Sequence, residues 1–108
     1  MMKKWKDIKI EGIKIKKCVA EFEIWEQQYS PYGKFIIKIR ENDHGEFNGY
    51  SNLLVKDTTG EFYCAVGHGS TVEDTLEDTI RHFYEMTSRK LPKEWVESDF
   101  ERADSFDF

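Results

Sequence analysis

The segment Val66–Thr87, VGHGSTVEDTLEDTIRHFYEMT, constrains the fold of this chain most, because it fixes the position of a helix. Ser70 with Glu73 fits the capping-box pattern of a helix start. Thr71 with Asp74 is nearly as good a start signal. Apolar side chains then recur every three or four residues, the spacing of one face of an amphipathic helix. The predicted helix covers 71–88, with apolar positions Val72, Leu76, Ile80, Phe83 and Thr87.

Two glycines flank a histidine immediately before this start, and we predict a turn from strand to helix there, made with the conformational freedom of glycine. A second interpretation is a phosphate or nucleotide site, because amides at a helix start bind anions and a histidine can act as acid or base. Neither phosphate-loop pattern is present, however, and Glu73 and Asp74 lie where a cation would be expected. The residues of this ligand site would be Gly67, His68, Gly69, Ser70 and Thr71.

Upstream of the helix, apolar and charged residues alternate in short runs separated by turn signals, which predicts β-strands. Tight turns between the runs favour an antiparallel meander, because parallel strands need crossover connections. The predicted strands cover 8–15, 18–26, 35–40, 47–55 and 62–66, the first kinked at Gly12. The positions predicted to share a face are Cys18, Ala20, Phe22 and Ile24, then Phe35, Ile37 and Ile39, then Phe62, Cys64 and Val66. In the last strand we expect Cys64 to point into the core.

These elements predict an α+β fold. Its antiparallel sheet has four to five strands in a meander and is covered on one face by the amphipathic helix. Pro92 is typical of the first turn of a helix, so we expect a short C-terminal helix as well. Its apolar residues would be Trp95, Val96 and Phe100.

The length of the chain indicates one domain over 1–108. Residues 1–7 form a basic N-terminal arm. Residues 101–108 form an acidic tail that either docks on the domain or stays mobile until a partner binds.

Composition excludes several classes of protein. Aromatic residues make up 15% of the chain, too many for a disordered sequence. No apolar run approaches the roughly 18 residues that a membrane helix needs, and the first residues lack the apolar core of a signal peptide. Two cysteines, Cys18 and Cys64, suit a reducing compartment. The predicted location is therefore the cytoplasm, without membrane contact.

Charge is distributed unevenly along the chain. The net charge is −5, although residues 1–17 hold seven lysines against two carboxylates. An acidic body repels the nucleic-acid backbone, so nucleic acid is expected only through the lysine-rich arm. The expected partner is a protein with a basic surface, and a homodimer through a sheet edge is a further expectation. The lysines of this stretch are Lys3, Lys4, Lys6, Lys9, Lys14, Lys16 and Lys17.

No set of residues reads as a catalytic or metal motif. Cys64 and His68 are four residues apart, but no second pair completes a four-ligand zinc set. Ser70 does not lie in a Gly-x-Ser-x-Gly elbow. We therefore expect a non-catalytic protein without metal or cofactor. The side chains with the chemistry of a ligand or nucleophile are Cys18, Cys64, His44, His68 and His82.

Carboxylates crowd the helix surface and continue into the C-terminal segment. Solvation of an exposed helix face is the ordinary origin of such a run. A partner-binding surface is the alternative, because aromatic residues interspersed with the acids supply side chains typical of binding hot spots. The predicted partner-binding residues are Glu73, Asp74, Glu77, Asp78, Trp95, Glu97, Asp99, Phe100, Glu101 and Asp104.

Residues 61–83, with the run Ser70–Asp78 (STVEDTLED), resemble HicB-type antitoxin domains. In those domains a three-stranded sheet is followed by a helix with the motif G-x-T-x-E-E-A-L. The resemblance implies an antitoxin or regulator that neutralises a small RNA-cleaving toxin. It covers about a quarter of the chain.

In overall type the chain is similar to small acidic proteins of phages and mobile elements that inhibit bacterial defence systems. The leading prediction is a non-catalytic protein-binding module that inhibits an enzyme or a bacterial defence complex. An antitoxin of the HicB type is the first alternative. A small-ligand binder at 67–71 is the second.

Overall fold

A four-stranded antiparallel meander carries the fold, and a computed structural model describes it over residues 4–104 and 108. Residues 1–3 of the predicted arm and 105–107 of the predicted tail lie outside the described residues. The strands are β1 (Lys17–Trp25), β2 (Lys34–Glu41), β3 (Phe47–Lys56), β4 (Phe62–Gly69) and β5 (Phe100–Arg102), with helix α1 (Val72–Thr87) after β4. Single 3-10 turns lie at Trp5–Asp7, Pro92–Glu94 and Glu97–Asp99.

The sheet order is β1-β2-β3-β4, and β5 pairs antiparallel with β3. Asn52 lies where β3 changes partner, because β2 pairs with β3 only as far as Ser51 and β5 pairs from Leu53 onward. Its side-chain oxygen accepts from the Ile36 amide at 2.8 Å, and its carbonyl accepts from the Ala103 amide at 2.7 Å. The predicted α+β fold with an antiparallel meander and a covering helix is confirmed.

Thr71 caps the start of α1. Its side-chain oxygen accepts from the Asp74 amide at 3.0 Å, which decides between the two start signals in the sequence. The helix then runs to Thr87, and the Ser88 amide donates to the Tyr84 carbonyl at 2.8 Å. Across the described residues no helix is both long and apolar enough to cross a membrane.

The buried side of α1 agrees with the predicted apolar stripe at Phe83 and Thr87 but is formed by threonines in the first part of the helix. Thr75, Thr79 and Thr87 are fully buried together with Phe83, and each threonine hydroxyl donates to a carbonyl of the preceding helical turn. Val72, Leu76 and Ile80 are only half-buried and flank this line. The predicted stripe is therefore about one residue out of phase over 72–80, because the strands beneath Thr75 and Thr79 leave room only for small side chains.

Glycines bring the helix close to the sheet. A Cβ added at Gly49 would lie 2.1 Å from the Thr79 hydroxyl oxygen. One added at Gly67 would lie 2.4 Å from the Thr79 main-chain nitrogen, and one at Gly69 2.7 Å from the Thr75 nitrogen. Neither Gly67 nor Gly69 has a positive φ, and both belong to β4. The predicted glycine turn is therefore the end of a strand, and these glycines serve close approach rather than conformational freedom.

The close approach of α1 also determines which side chains of β4 face the helix. Ala65 and Gly67 are buried under the helix, whereas Phe62, Cys64 and Val66 are half-buried on the opposite side of the sheet. The prediction that these three residues face the core was wrong, since their bulk would exclude α1 from that position. In β2 the prediction holds, with Phe35, Ile37 and Ile39 buried.

A β-bulge alters the start of β1. Cys18 pairs with Arg40 but Ala20 pairs with Ile39, so the register shifts between them. Cys18 therefore lies on the opposite face from Ala20, contrary to the predicted alternation. The two next core-side residues, Phe22 and Ile24, pair with Ile37 and Phe35 as the alternation requires.

Residues 8–15, all within the described part of the chain, do not form the predicted strand. Ile10 and Ile13 are about 60% exposed, and the Ile13 amide donates to the Ile10 carbonyl across a bend at Gly12, whose φ is +82°. Isolated alternation does not make a strand when no neighbouring strand accepts its hydrogen bonds. The fifth strand of the sheet is β5, at the other end of the chain.

The predicted C-terminal helix is replaced by two 3-10 turns that lead into β5. Trp95 and Phe100 are buried with ring centroids 5.3 Å apart, and the Trp95 indole N–H donates to the Thr87 carbonyl at 2.9 Å. Within the predicted tail, Glu101 and Arg102 pair with β3. This segment therefore closes the end of the core next to the last turn of α1.

The glycine contacts predict two different responses to added bulk. Gly67→Ala places a methyl group against Thr79 main-chain atoms, so we expect a loss of roughly 3 kcal/mol or more in the free energy of unfolding. Gly49→Ala meets the Thr79 hydroxyl first and should cost about 1–3 kcal/mol. Thr79→Ala should then restore stability to Gly49→Ala but not to Gly67→Ala in urea unfolding. Equal rescue of both variants would contradict this packing.

Candidate functional site

The outer side of α1 carries carboxylates that no internal contact requires. Glu73, Asp74, Glu77 and Glu85 are exposed, and Glu77, Arg81 and Glu85 follow one another at intervals of four residues. Among the described residues, only Arg81 forms a salt bridge with this set, at 2.8 Å from Glu77. We call the four carboxylates the acidic helix face.

Glu85 is placed against the helix dipole. It lies in the last turn of α1, which holds no basic residue, so the partial negative charge of the helix end opposes it. Arg89 lies four residues further on, but its guanidinium donates to the Lys56 carbonyl. Helix formation thus explains the acids of the first turn, Glu73 and Asp74, but not Glu85.

Asp78 has a structural role that the sequence did not show. Its carboxylate accepts from the His68 amide at 2.8 Å and lies 3.8 Å from the His82 ring. The His82 ring in turn contacts the Val66 carbonyl. These contacts cover part of β4 at the edge of the sheet, where unpaired strand groups would otherwise be open to another chain. Asp78 therefore serves the fold and not the acidic helix face.

Three residues of the predicted C-terminal contact set are part of the protein interior. Trp95 and Phe100 pack against each other, and Asp99 is also buried. The Asp99 carboxylate accepts from the Val96 amide at 3.0 Å and lies 3.3 Å from Lys90 Nζ. These partners, the amide first, hold the pKa of Asp99 below its ordinary value. Because these three residues are buried and bonded within the protein, they do not form part of a surface that a partner could contact.

The remaining predicted acids do not continue the acidic helix face. Glu97, Glu101 and Asp104 are exposed, but Glu101 pairs with Leu54, on the side of the sheet that α1 does not cover. The two acidic segments are adjacent in sequence, yet the sheet separates α1 from Glu101 in space. The acids that were predicted to form one site therefore lie on separate surfaces of the protein.

The predicted ligand site at 67–71 borders a pocket of about 390 Å³ lined in part by His68, Gly69 and Ser70, but the fold uses many of its polar groups. Gly67 and Gly69 lie against α1, the His68 amide donates to Asp78, and Thr71 caps the helix. The His68 ring contacts the Asn48 side chain on the neighbouring strand. Most of the groups that would meet a phosphate are thus engaged within the protein.

The lysine-rich N-terminal stretch, the arm together with the residues that follow it, contacts the β2–β3 hairpin. Lys6 forms a salt bridge with Glu41, and Lys9 lies 3.0 Å from Asp43. Lys3, the first lysine of the arm, lies outside the described residues. Part of the basic charge of this arm is therefore balanced by the protein's own acids.

Nucleophiles and metal ligands are dispersed. Cys18 and Cys64 are both free thiols, and burial raises the pKa of Cys64, which lowers its thiolate fraction. No group of three or more His, Cys, Asp or Glu side chains comes together as a metal site within 4–104 and 108. Of the histidines, His44 lies 3.6 Å from its neighbour Asp43.

Sequence reasoning missed Glu26. The residue is 4% exposed, and its carboxylate accepts from the amides of Gln28, Tyr29 and Ser30, at 2.6, 3.1 and 2.7 Å. It organises the loop before β2, where the Tyr29 ring meets Tyr84 of α1. An acid shortly before a Ser-Pro-Tyr-Gly turn was the only signal for this role.

Sequence reasoning also missed a groove on the side of the sheet away from α1, which we call the open face. The groove encloses about 750 Å³. Its lining combines the half-buried side chains of the sheet with charges of both signs: Tyr50, Leu54 and Cys64, the cations Lys16, Arg40 and Arg102, and the acids Glu101 and Asp104. The groove depends on the phase of β4, which places Cys64 on the open face.

No known protein family matches this chain, and no curated protein or solved structure matches it either.

The buried Asp99 predicts a pH-dependent stability. Because its folded-state pKa is lowered, its contribution is complete above the ordinary carboxyl pKa of about 4 and is lost as pH falls through the folded-state value. Asp99→Asn should cost about 1 kcal/mol near neutral pH, and this deficit should shrink toward pH ~2. Urea unfolding over this pH range measures it. Asp7→Asn, at an exposed acid, is the control, and a deficit independent of pH would contradict the assignment.

Proposed function

We propose that this protein is a non-catalytic binding module, an inhibitor of an enzyme or of a bacterial defence complex, that contacts a basic protein surface. The acidic helix face provides the contact. The observation that carries the proposal is Glu85, an exposed acid that opposes the helix dipole and has no salt bridge among the described residues. A charge that folding disfavours is a candidate for selection by binding.

The rigidity of α1 supports this proposal. Its buried threonines lie against the glycines of β3 and β4, so the helix is held at a fixed distance from the sheet. Glu73, Asp74, Glu77 and Glu85 therefore project from a fixed framework, which lowers the entropy lost on binding. Opposite charges across an interface also accelerate encounter.

The contact set is narrower than the one expected from sequence. It keeps Glu73, Asp74 and Glu77 and gains Glu85. Asp78, Trp95, Asp99 and Phe100 stabilise the fold instead, as their hydrogen bonds and burial show. Glu97, Glu101 and Asp104 are not part of this face.

Reversing two charges of the face tests the proposal. Glu77→Lys combined with Glu85→Lys should abolish capture of the partner from native cells, measured by affinity purification and mass spectrometry. The thermal midpoint should stay nearly unchanged, since the Glu77–Arg81 pair is exposed and contributes about 0.5 kcal/mol at most. The positive charge introduced by Glu85→Lys also suits the helix dipole, which offsets part of that loss.

The control carries the same change in charge elsewhere. Glu11→Lys with Glu94→Lys alters two exposed acids outside α1 and should leave capture intact. Retention of the same partner by the helix variant would refute the assigned surface. Loss of capture in both variants would show that the change in net charge, and not the acidic helix face, is responsible.

The antitoxin alternative has one structural argument in its favour. β2, β3 and β4 form an antiparallel set followed directly by α1, the order of strands and helix that the HicB resemblance implies. Under this alternative the captured partner is a small basic RNA-cleaving protein. Its ribonuclease activity should be suppressed on co-expression, which a growth assay measures.

A further inference from the structure

A small pocket lies between the last turns of α1 and the hairpin that joins β3 to β4. It encloses about 270 Å³, less than the roughly 300–1,000 Å³ of a pocket for a whole small-molecule ligand, so it suits a single side chain. Val55, Tyr63 and Met86 provide its apolar lining. Val55 is buried, Met86 is half-buried and Tyr63 is 50% exposed, so this lining extends from the core to the surface.

Glu85 of the acidic helix face also lines this pocket. The residue is exposed and its carboxylate forms no salt bridge or hydrogen bond with any of the described residues. The acid that opposes the helix dipole therefore lies beside apolar side chains that a partner could cover. Negative charge next to an apolar pocket favours a partner side chain that has an apolar stem and a positively charged end.

The turn between β3 and β4 organises the outer side of the pocket. The Asp57 carboxylate, which also lines it, accepts from the Thr59 and Glu61 amides at 2.8 and 3.1 Å, so its charge is used by the turn. The Glu61 carboxylate accepts from the Tyr63 hydroxyl at 2.7 Å, which ties the tyrosine ring to the same turn. Because this side chain is held before a partner arrives, less entropy is lost when the pocket is filled.

The two cations of the lining are engaged within the protein. The Arg89 guanidinium donates to the Lys56 carbonyl and lies 4.8 Å from the centroid of the Trp95 ring. Lys56 Nζ lies 5.7 Å from the centroid of the Phe62 ring, on the open face and away from α1. In the part of the chain that the structure describes, Glu85 is therefore the one charged side chain of the lining without an internal contact.

We infer that this pocket receives an arginine side chain of the protein partner. The inference rests on the proposed function, because the partner is the protein that the acidic helix face contacts. The aliphatic stem packs against Val55 and Met86, and the guanidinium meets the Glu85 carboxylate and the exposed Tyr63 ring. Arginine is favoured over lysine because its planar guanidinium both pairs with a carboxylate and stacks on an aromatic ring. An arginine that fills a pocket is a typical hot spot of a protein interface.

Binding of a blocked amino acid tests the pocket without the partner. N-acetyl-arginine amide is titrated into isotope-labelled protein, and the backbone amide resonances are followed by NMR. Shifts at Tyr63, Glu85 and Met86 should give a dissociation constant on the order of 1 mM, a value within reach of one side chain. Absence of binding at these residues would overturn the inference.

Two related compounds test the chemistry of the occupant. N-acetyl-citrulline amide has nearly the same shape as the arginine compound without its charge, and it should bind about fivefold more weakly. N-acetyl-norleucine with a free carboxylate is apolar and anionic, and it should bind more weakly still. Equal affinity for the arginine and citrulline compounds, or a preference for the anion, would overturn the choice of arginine.

Matched variants assign the binding to this pocket. Glu85→Gln should weaken binding of the arginine compound about fivefold, whereas Glu77→Gln, at an acid of the same face outside the pocket, should not. Tyr63→Ser should also weaken it, whereas Tyr84→Ser, at an exposed tyrosine of α1 outside the pocket, should not. Equal affinity in all four variants would overturn the assignment.

Capture of the partner separates this inference from the proposed function. Tyr63→Ser leaves every carboxylate of the acidic helix face in place and should reduce capture about tenfold, the loss typical of a hot-spot contact. If Glu77→Lys with Glu85→Lys abolishes capture but Tyr63→Ser does not, the arginine contact is overturned while the proposed function stands. If the charge reversal leaves capture intact, the proposed function fails, and the titration alone decides whether the pocket binds arginine.

A second copy of the chain is the other candidate occupant, because its own arginines have the same chemistry. Light scattering over a range of protein concentrations measures self-association. The protein should stay monomeric under the conditions of the titration. Dimerisation that Glu85→Gln abolishes would assign the pocket to a second copy and overturn the choice of a different partner.

Discussion

The close approach of α1 to β3 and β4 is the contact on which the rest of the structure depends. Gly49 and Gly67 leave space that Thr79 fills, and at Gly67 the helix main chain itself is among the nearest neighbours. Glycines on the sheet and threonines on the helix allow this close approach. Dense packing at short distance then takes the place of large apolar side chains in this part of the core. The phase of β4, and hence which residues reach the open face, follows from this single contact.

That contact also divides the charged residues into two groups. Asp78, Asp99 and Glu26 accept main-chain amides and organise a sheet edge, a turn and a loop. Each satisfies donors that would otherwise be unpaired, so their charge serves folding. Glu77 and Glu85 project away from the sheet, where folding gains little from them. The second group is the better place to seek function.

The two faces of the sheet therefore offer different chemistry. One side presents the acidic helix face on a rigid helix, and the other presents a groove lined by apolar side chains and by charges of both signs. β5 links them, because its Phe100 is buried in the core and its Glu101 lines the groove. A small chain can in this way present two surfaces of different chemistry.

The sequence by itself determined the helix, its start near Thr71, the buried phase of β2 and the antiparallel meander, because local periodicity, capping and turn residues encode them. It misjudged 8–15, Cys64 and the glycines before α1, since alternation does not reveal whether a strand has a neighbour or which face a helix covers. The roles of Asp78 and Trp95 were equally hidden, because their bonding partners lie ten and eight residues away in sequence. Only tertiary packing decided which acids stay exposed and that the open face has a groove, since both depend on how closely α1 approaches the sheet.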